Sequence, residues 1–210
     1  DEAPLLSRLE VGLGVAESLG IWLATRRPLF SALVLPALRL LEALAPSLVD
    51  DAVKMRPSKL ESGALDPSLV TARMSSAQAA AGRAGLGDLW TEAALRSGNA
   101  ARLLTSLADV GGLRLPAHLA PAAPAWTNLV VRVAERQRVR RALLREGLDT
   151  TYGYLVPCHR LIPEAAPPGG CPETDAVTHE TLYLPLGDGL GPADMDRIAD
   201  SLSRALTRTP

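Results

Sequence analysis

Cys158, His159, Cys171 and His179 are the residue types that hold zinc, and their spacings are one, twelve and eight, with no CxxC pair. Structural zinc sites pair their ligands two to four residues apart, so this set does not read as a metal centre. Cys158 and His159 are adjacent, and neighbours in an extended segment point to opposite faces, which argues against a Cys–His nucleophile. The chain's lysines, Lys54 and Lys59, stand in a polar stretch with Pro57 and Gly63. That context is a solvated loop, whereas a lysine that bonds covalently to a carbonyl needs a desolvated, rigid turn. The glycine-rich run Gly187 to Gly191 lacks the lysine and hydroxyl of a P-loop and reads as a tight turn, with Pro192 opening the next helix. Arg73 has the planar donor set that grips an anion, or it enters a helix in an ion pair. No catalytic residue and no metal ligand is assigned from these residues.

The elements that would position such groups follow from composition and period. The 210 residues are 47% apolar but only 3% aromatic, so the core must be aliphatic. The net charge of −1 gives no global attraction to nucleic acid. Arg136 to Arg145 is arginine-rich, but aromatic or base-reading partners are missing, and it reads as a solvated helix face. Two cysteines make no disulfide framework, and a reducing cytoplasm is the expected compartment. The chain starts at Asp1 without a methionine or a basic leader, which points to a cut within a longer protein.

Residues 5–46 read as two apolar helices, Leu5 to Ala24 and Leu29 to Leu44, with Pro36 expected to kink the second. Glu17, Arg39 and Glu42 interrupt them, so contact with a protein partner or a membrane surface is favoured over spanning. Asp50 to Pro67 is a linker. Ser75 with Gln78 forms a capping box for a long helix through Leu107, whose Ala79, Ala80, Ala81, Gly82 and Ala84 suit close packing between layers. Leu113 to Leu115 is a short edge strand, and Asn128 to Val133 is a buried strand. Val139, Ala142 and Leu143 mark the apolar face of the next helix, and Gly147 needs positive φ after it. Leu148 to Val156 is extended. Glu173 to His179 is a short helix and Thr181 to Leu186 a strand. The final helix carries the stripe Met195, Ile198, Leu202 and Leu206.

Three blocks in this order resemble the DegT/DnrJ/StrS-type aminotransferases. The first is Arg73, Met74, Ser75, Gln78, Ala79, Ala80, Gly82, Leu86 and Leu89. The second is Gly147, Leu148, Thr150, Tyr154, Pro157 and His159. The third runs from Pro172, Thr174 and Asp175 through Glu180, Leu182, Leu184, Pro185 and Leu186 to Asp194, Met195 and Ile198. Departures are Thr71 for an asparagine, Gly153 for a histidine and Cys171 for a phenylalanine.

The resemblance implies an α/β chain (an α+β layer), the small C-terminal domain of a fold type I pyridoxal-phosphate transferase with a preceding helical segment. It also implies a division into a helical segment and linker (1–68), a connecting helix (69–110) and a small α/β domain (111–210). The activity implied is amination of a keto sugar, carried on a nucleotide, from an amino-acid donor. Pyridoxal 5′-phosphate would be bound mainly by a lysine-bearing part upstream, in a homodimer. Thr71 and Arg73 would face the cofactor phosphate, and Tyr154 and His159 the sugar. This chain alone would be inactive. The alternative is a catalytically inactive binding or regulatory module of the same fold, attached through residues 5–46.

Overall fold

The computed structural model describes residues 7–45, 73–117, 124–152, 157–162, 164, 167, 169–187 and 189–207. They fall into two compact units, one holding residues 7–45 and 73–89, the other beginning at Trp90.

In the first unit, α1 (Arg8–Ala24) ends at a turn on Thr25 and Arg26, and the Arg26 guanidinium stacks 3.8 Å over the Trp22 ring. The second helical run is not a simply kinked helix. A turn of α-helix (Arg27–Leu29) passes into a π segment (Phe30–Val34) and then into α2 (Leu35–Leu44). The reason lies at Pro36. It has no N–H, and its ring would press on the carbonyl four residues back. Just before it the helix widens, and the Leu35 N–H reaches the Phe30 carbonyl, five residues back. Leu9, Leu13, Leu19, Ile21 and Trp22 on α1 are exposed, as are Leu33, Leu40 and Leu44 on the second run. No described helix is long and apolar enough to cross a membrane.

The capping box opens α3 (Ser76–Gly85) as expected. Ser75 Oγ accepts from the Gln78 N–H at 3.2 Å, and Gln78 Oε1 accepts from the Ser75 N–H at 2.9 Å. The helix does not run on unbroken. A 3-10 turn (Leu86–Asp88), flanked and centred by Gly85 and Gly87, separates it from α4 (Leu89–Leu107). The small residues Ala79, Ala80, Ala81, Gly82 and Ala84 are exposed and face no second layer among the described residues.

The second unit contains most of α4, then β1 (Leu113–Arg114), β2 (Asn128–Val133), α5 (Arg136–Arg145), α6 (Cys158–Leu161), α7 (Pro172–Glu180), β3 (Thr181–Pro185) and α8 (Pro192–Thr207). The sheet is antiparallel in the order β1-β2-β3. Leu129, Val131 and Val133 alternate with half-buried neighbours, and the register sets Val131 beside Leu182 and Leu129 beside Leu184. Period two therefore gathers all of them on one face. That face meets Ala100, Leu103 and Leu107 of α4, Val139 and Leu143 of α5, and Met195, Ile198 and Leu202 of α8. This is the α+β layer read from the sequence, with an aliphatic core.

Local chemistry fixes the connections. After α5, Gly147 takes φ +82°, and its N–H bonds the Leu144 carbonyl while the Leu148 N–H bonds that of Leu143. That is a Schellman termination, which only glycine enters without strain. At the other end of the core, Asn99 is 4% exposed. Its Nδ2 donates to the Leu186 carbonyl at 3.0 Å and the Leu190 carbonyl at 3.1 Å, tying both sides of the turn between β3 and α8 to α4. Arg102 donates from Nε and Nη2 to Asp196, at 2.7 Å each, and so joins α4 to α8.

Replacing Asn99 by Leu leaves two carbonyls without their donor, and we expect a loss of about 2–4 kcal/mol in urea unfolding. The hydrogen bonds from Arg102 hold the Asp196 carboxyl below its usual range. Its contribution is thus complete above the ordinary carboxylate pKa and is lost as pH falls through the lowered one. Asp196→Asn should flatten that acid limb in a series of melts below pH 5, a window set by ordinary carboxylate titration at about 4.

Candidate functional site

Of the four residues singled out above, two are described. Thr71 and Tyr154 lie outside the described residues, as do Lys54, Lys59 and Gly153. Arg73 is exposed two residues before the capping serine, in the first unit. His159 belongs to the second unit, on the short helix α6, with its side chain 14% exposed. Its Nε2 lies 3.3 Å from Asp175 Oδ1, and the neighbouring Arg160 places Nη2 2.6 Å from the same oxygen. His159 is therefore held against the first turn of α7. Cys158 and His159 are not in an extended segment: both lie on α6, Cys158 is exposed and its thiol is free, as is that of Cys171.

Helix α7 is the hub of this region, and it buries none of its own side chains. What holds it is charge. Asp175 meets His159 and Arg160. The Thr178 carbonyl accepts from Arg136 Nη1 at 2.6 Å. Glu180 accepts from Arg132 on β2, with Nε at 2.9 Å and Nη2 at 2.8 Å. The carbonyls of a helix's last turn have no partner within the helix, so the Arg136 bond fills one such vacancy and suits the negative end of the dipole.

The arginine-rich helix face corrects the sequence reading. Arg140 is only 1% exposed, and Arg136 lies 4.2 Å over the ring of the buried Tyr152. Arg138 donates from Nη1 to the Ala205 carbonyl near the end of α8, at 2.8 Å. These guanidiniums pack and cap rather than face water. Their signal in the sequence was Tyr152, an aromatic in a chain with few, within one turn of strand from a basic helix. Beyond it, Thr151 bridges Tyr183 on the free edge of β3, and the matched Thr150 is buried.

Pyridoxal phosphate, which the resemblance implies, needs a lysine for its aldehyde, an acid at its ring nitrogen and donors around its phosphate. Among the described residues none is a lysine; Arg73 is the described residue that the resemblance assigns to the third requirement. The described residues do not make the cofactor's pocket. They also contain no cluster of His, Cys, Asp and Glu able to hold a metal ion.

Residues 64–203 match the DegT/DnrJ/EryC1/StrS aminotransferase family. The chain is 34% identical over 134 residues to dTDP-3-amino-3,4,6-trideoxy-alpha-D-glucose transaminase of Streptomyces venezuelae, covering 62% of this chain and 35% of that protein. It is 34% identical over 135 residues to the erythromycin biosynthesis sensory transduction protein EryC1 of Saccharopolyspora erythraea, covering 62% and 37%. The crystal structure of DesV from S. venezuelae superposes with a TM-score of 0.60 at 31% identity, over 66% of this chain and 38% of that one. The chain thus spans little more than a third of the length of the curated relatives it matches.

Removing the Arg136 guanidinium tests the hub. Arg136→Met should lower stability by about 2 kcal/mol, the scale of a charged hydrogen bond plus a partly buried cation–π contact. Hydrogen exchange should quicken in α7 more than in α4.

Proposed function

The chain belongs to the DegT/DnrJ/EryC1/StrS aminotransferase family, and we propose that it serves as the lobe of such an enzyme that closes over the cofactor and shapes the substrate cleft. The reaction proposed is transfer of an amino group from an amino acid to a keto sugar on a nucleotide, a dTDP-linked sugar being the first choice from the relative of that name. Pyridoxal phosphate supplies the electron sink when bound. Its lysine, and most of its contacts, are assigned to sequence upstream of the present residues. Thr71 and Arg73 are proposed to reach the cofactor phosphate, and Tyr154 and His159 to line the sugar site, within a cytoplasmic homodimer. Residues 1–68 would form a helical segment and linker, 69–110 the connection, and 111–210 the small domain.

The observation that carries this reading is the family match over 64–203, which takes in the three-stranded lobe and its helices. A hydroxyl at Thr71 and the guanidinium of Arg73 are both able to donate to phosphate oxygens. In the proposed role the contact with Asp175 orients the His159 ring, and Asp175 acts through the histidine.

A second reading is favoured by the exposed apolar residues of α1, Leu9, Leu13, Ile21 and Trp22. In it the chain is a catalytically inactive module that binds a partner through residues 5–46, the more so as one relative carries the name of a sensory transduction protein.

The 210-residue chain, mixed with pyridoxal phosphate, glutamate and a dTDP-linked keto sugar, should yield no amino sugar and no absorbance of lysine-bound cofactor. The same assay on a product that includes a lysine-bearing upstream part should yield both. In that product Arg73→Ala should raise the concentration of pyridoxal phosphate needed for half activity by about tenfold, the worth of one charged hydrogen bond. A longer product that never transaminates favours the binding module.

A further inference from the structure

The strand register puts two arginines side by side where charge alone would keep them apart. Leu113 pairs with Val133 on the core face, so the next pair, Arg114 opposite Arg132, falls on the other face of the sheet. Directly opposed like charges on neighbouring strands destabilise the pairing. Glu180 answers one of them, because both Nε and Nη2 of Arg132 close on its Oε2. Among the described residues Arg114 makes no hydrogen bond or ion pair, and Arg132 keeps Nη1 uncommitted. Both residues line a cleft of about 310 Å³ with Gly112, Leu113, Ala134 and Glu180. Gly112 and Ala134 keep part of its wall low, and Gly112 holds φ +77°, where a side chain would be strained.

We propose that this cleft binds a phosphate-class oxyanion, with Arg114 as the principal donor and the outer Nη1 of Arg132 as the second. Guanidiniums grip oxyanions through paired N–H donors. The two here stem from neighbouring strands on one face of the sheet, so they offer two separate donor groups to one ligand. A tetrahedral group with three terminal oxygens can satisfy both, whereas a planar carboxylate offers only two oxygens in one plane. Glu180 tunes the site. It opposes an incoming anion and holds Arg132 away from it, so removing its charge should strengthen binding. The inference is independent of the activity proposed above, since every residue it uses lies within the sheet-bearing unit. The competing account is that Arg114 only guards an edge strand against pairing with another chain.

Inorganic pyrophosphate is the probe, titrated into the 210-residue chain at low salt and followed by amide chemical shifts. Saturable shifts should appear at Gly112, Arg114, Arg132, Ala134 and Glu180. Arg114→Gln should weaken binding about tenfold, as loss of a charged hydrogen bond implies, while leaving the melting curve in place, because the side chain is exposed and unpaired. Glu180→Gln should tighten binding, and a melt of that variant shows whether the strand pairing is kept. Absence of saturable shifts at this cleft overturns the proposal. So does an Arg114→Gln variant that binds as before, or one that self-associates without any change in affinity. Sodium acetate binding as tightly as pyrophosphate overturns the assignment to phosphate chemistry.

Discussion

The ends of three helices in the sheet-bearing unit are completed by arginines from elsewhere in the chain. Arg136 donates to Thr178 at the end of α7, Arg138 to Ala205 at the end of α8, and Arg197 to Glu146 at the end of α5. Unfilled carbonyls at a helix end carry partial negative charge and, when shielded from water, are costly. A guanidinium answers both the charge and the missing donor. The interlock is reciprocal, since α5 sends Arg138 to α8 and α8 returns Arg197 to α5. A chain with 3% aromatic residues has few large rings with which to key its layers together. Here side-chain donors reaching foreign carbonyls do much of that keying, and Asn99 does the same for the turn before α8.

This explains which parts of the fold the sequence disclosed. The stripe of Met195, Ile198 and Leu202 and the alternation of β2 are statements about water and apolar surface, and local period is enough to reveal them. Gly147 and the Ser75–Gln78 box are equally local, because their partners sit within five residues. The arginines of α5 read as solvent-facing in the sequence because local period gives a charged side chain no buried partner, yet Arg140 is buried. Their acceptors lie some 40 and 67 residues away along the chain, at Thr178 and Ala205. Nothing near Arg136 in the sequence announces them.

The candidate site divides along the same line. Its residues came from a resemblance, not from period. His159 was named by the resemblance alone, and Asp175, which lies against its ring, was legible only as a member of the last block. Arg114 was not legible at all. A two-residue edge strand has too little period to show which face its side chains take, and only the pairing of Leu113 with Val133 decides it.

The widened turn ahead of Pro36 has a consequence for how α2 is oriented. One additional residue in a helical turn shifts everything after it by about 100° around the axis. The side chains from Leu35 onward, with Leu35 and Glu42 buried, are thus out of phase with those before Phe30. A proline tolerated in this way resets the helix phase, so that exposed Leu40 and Leu44 do not continue the line of Leu29.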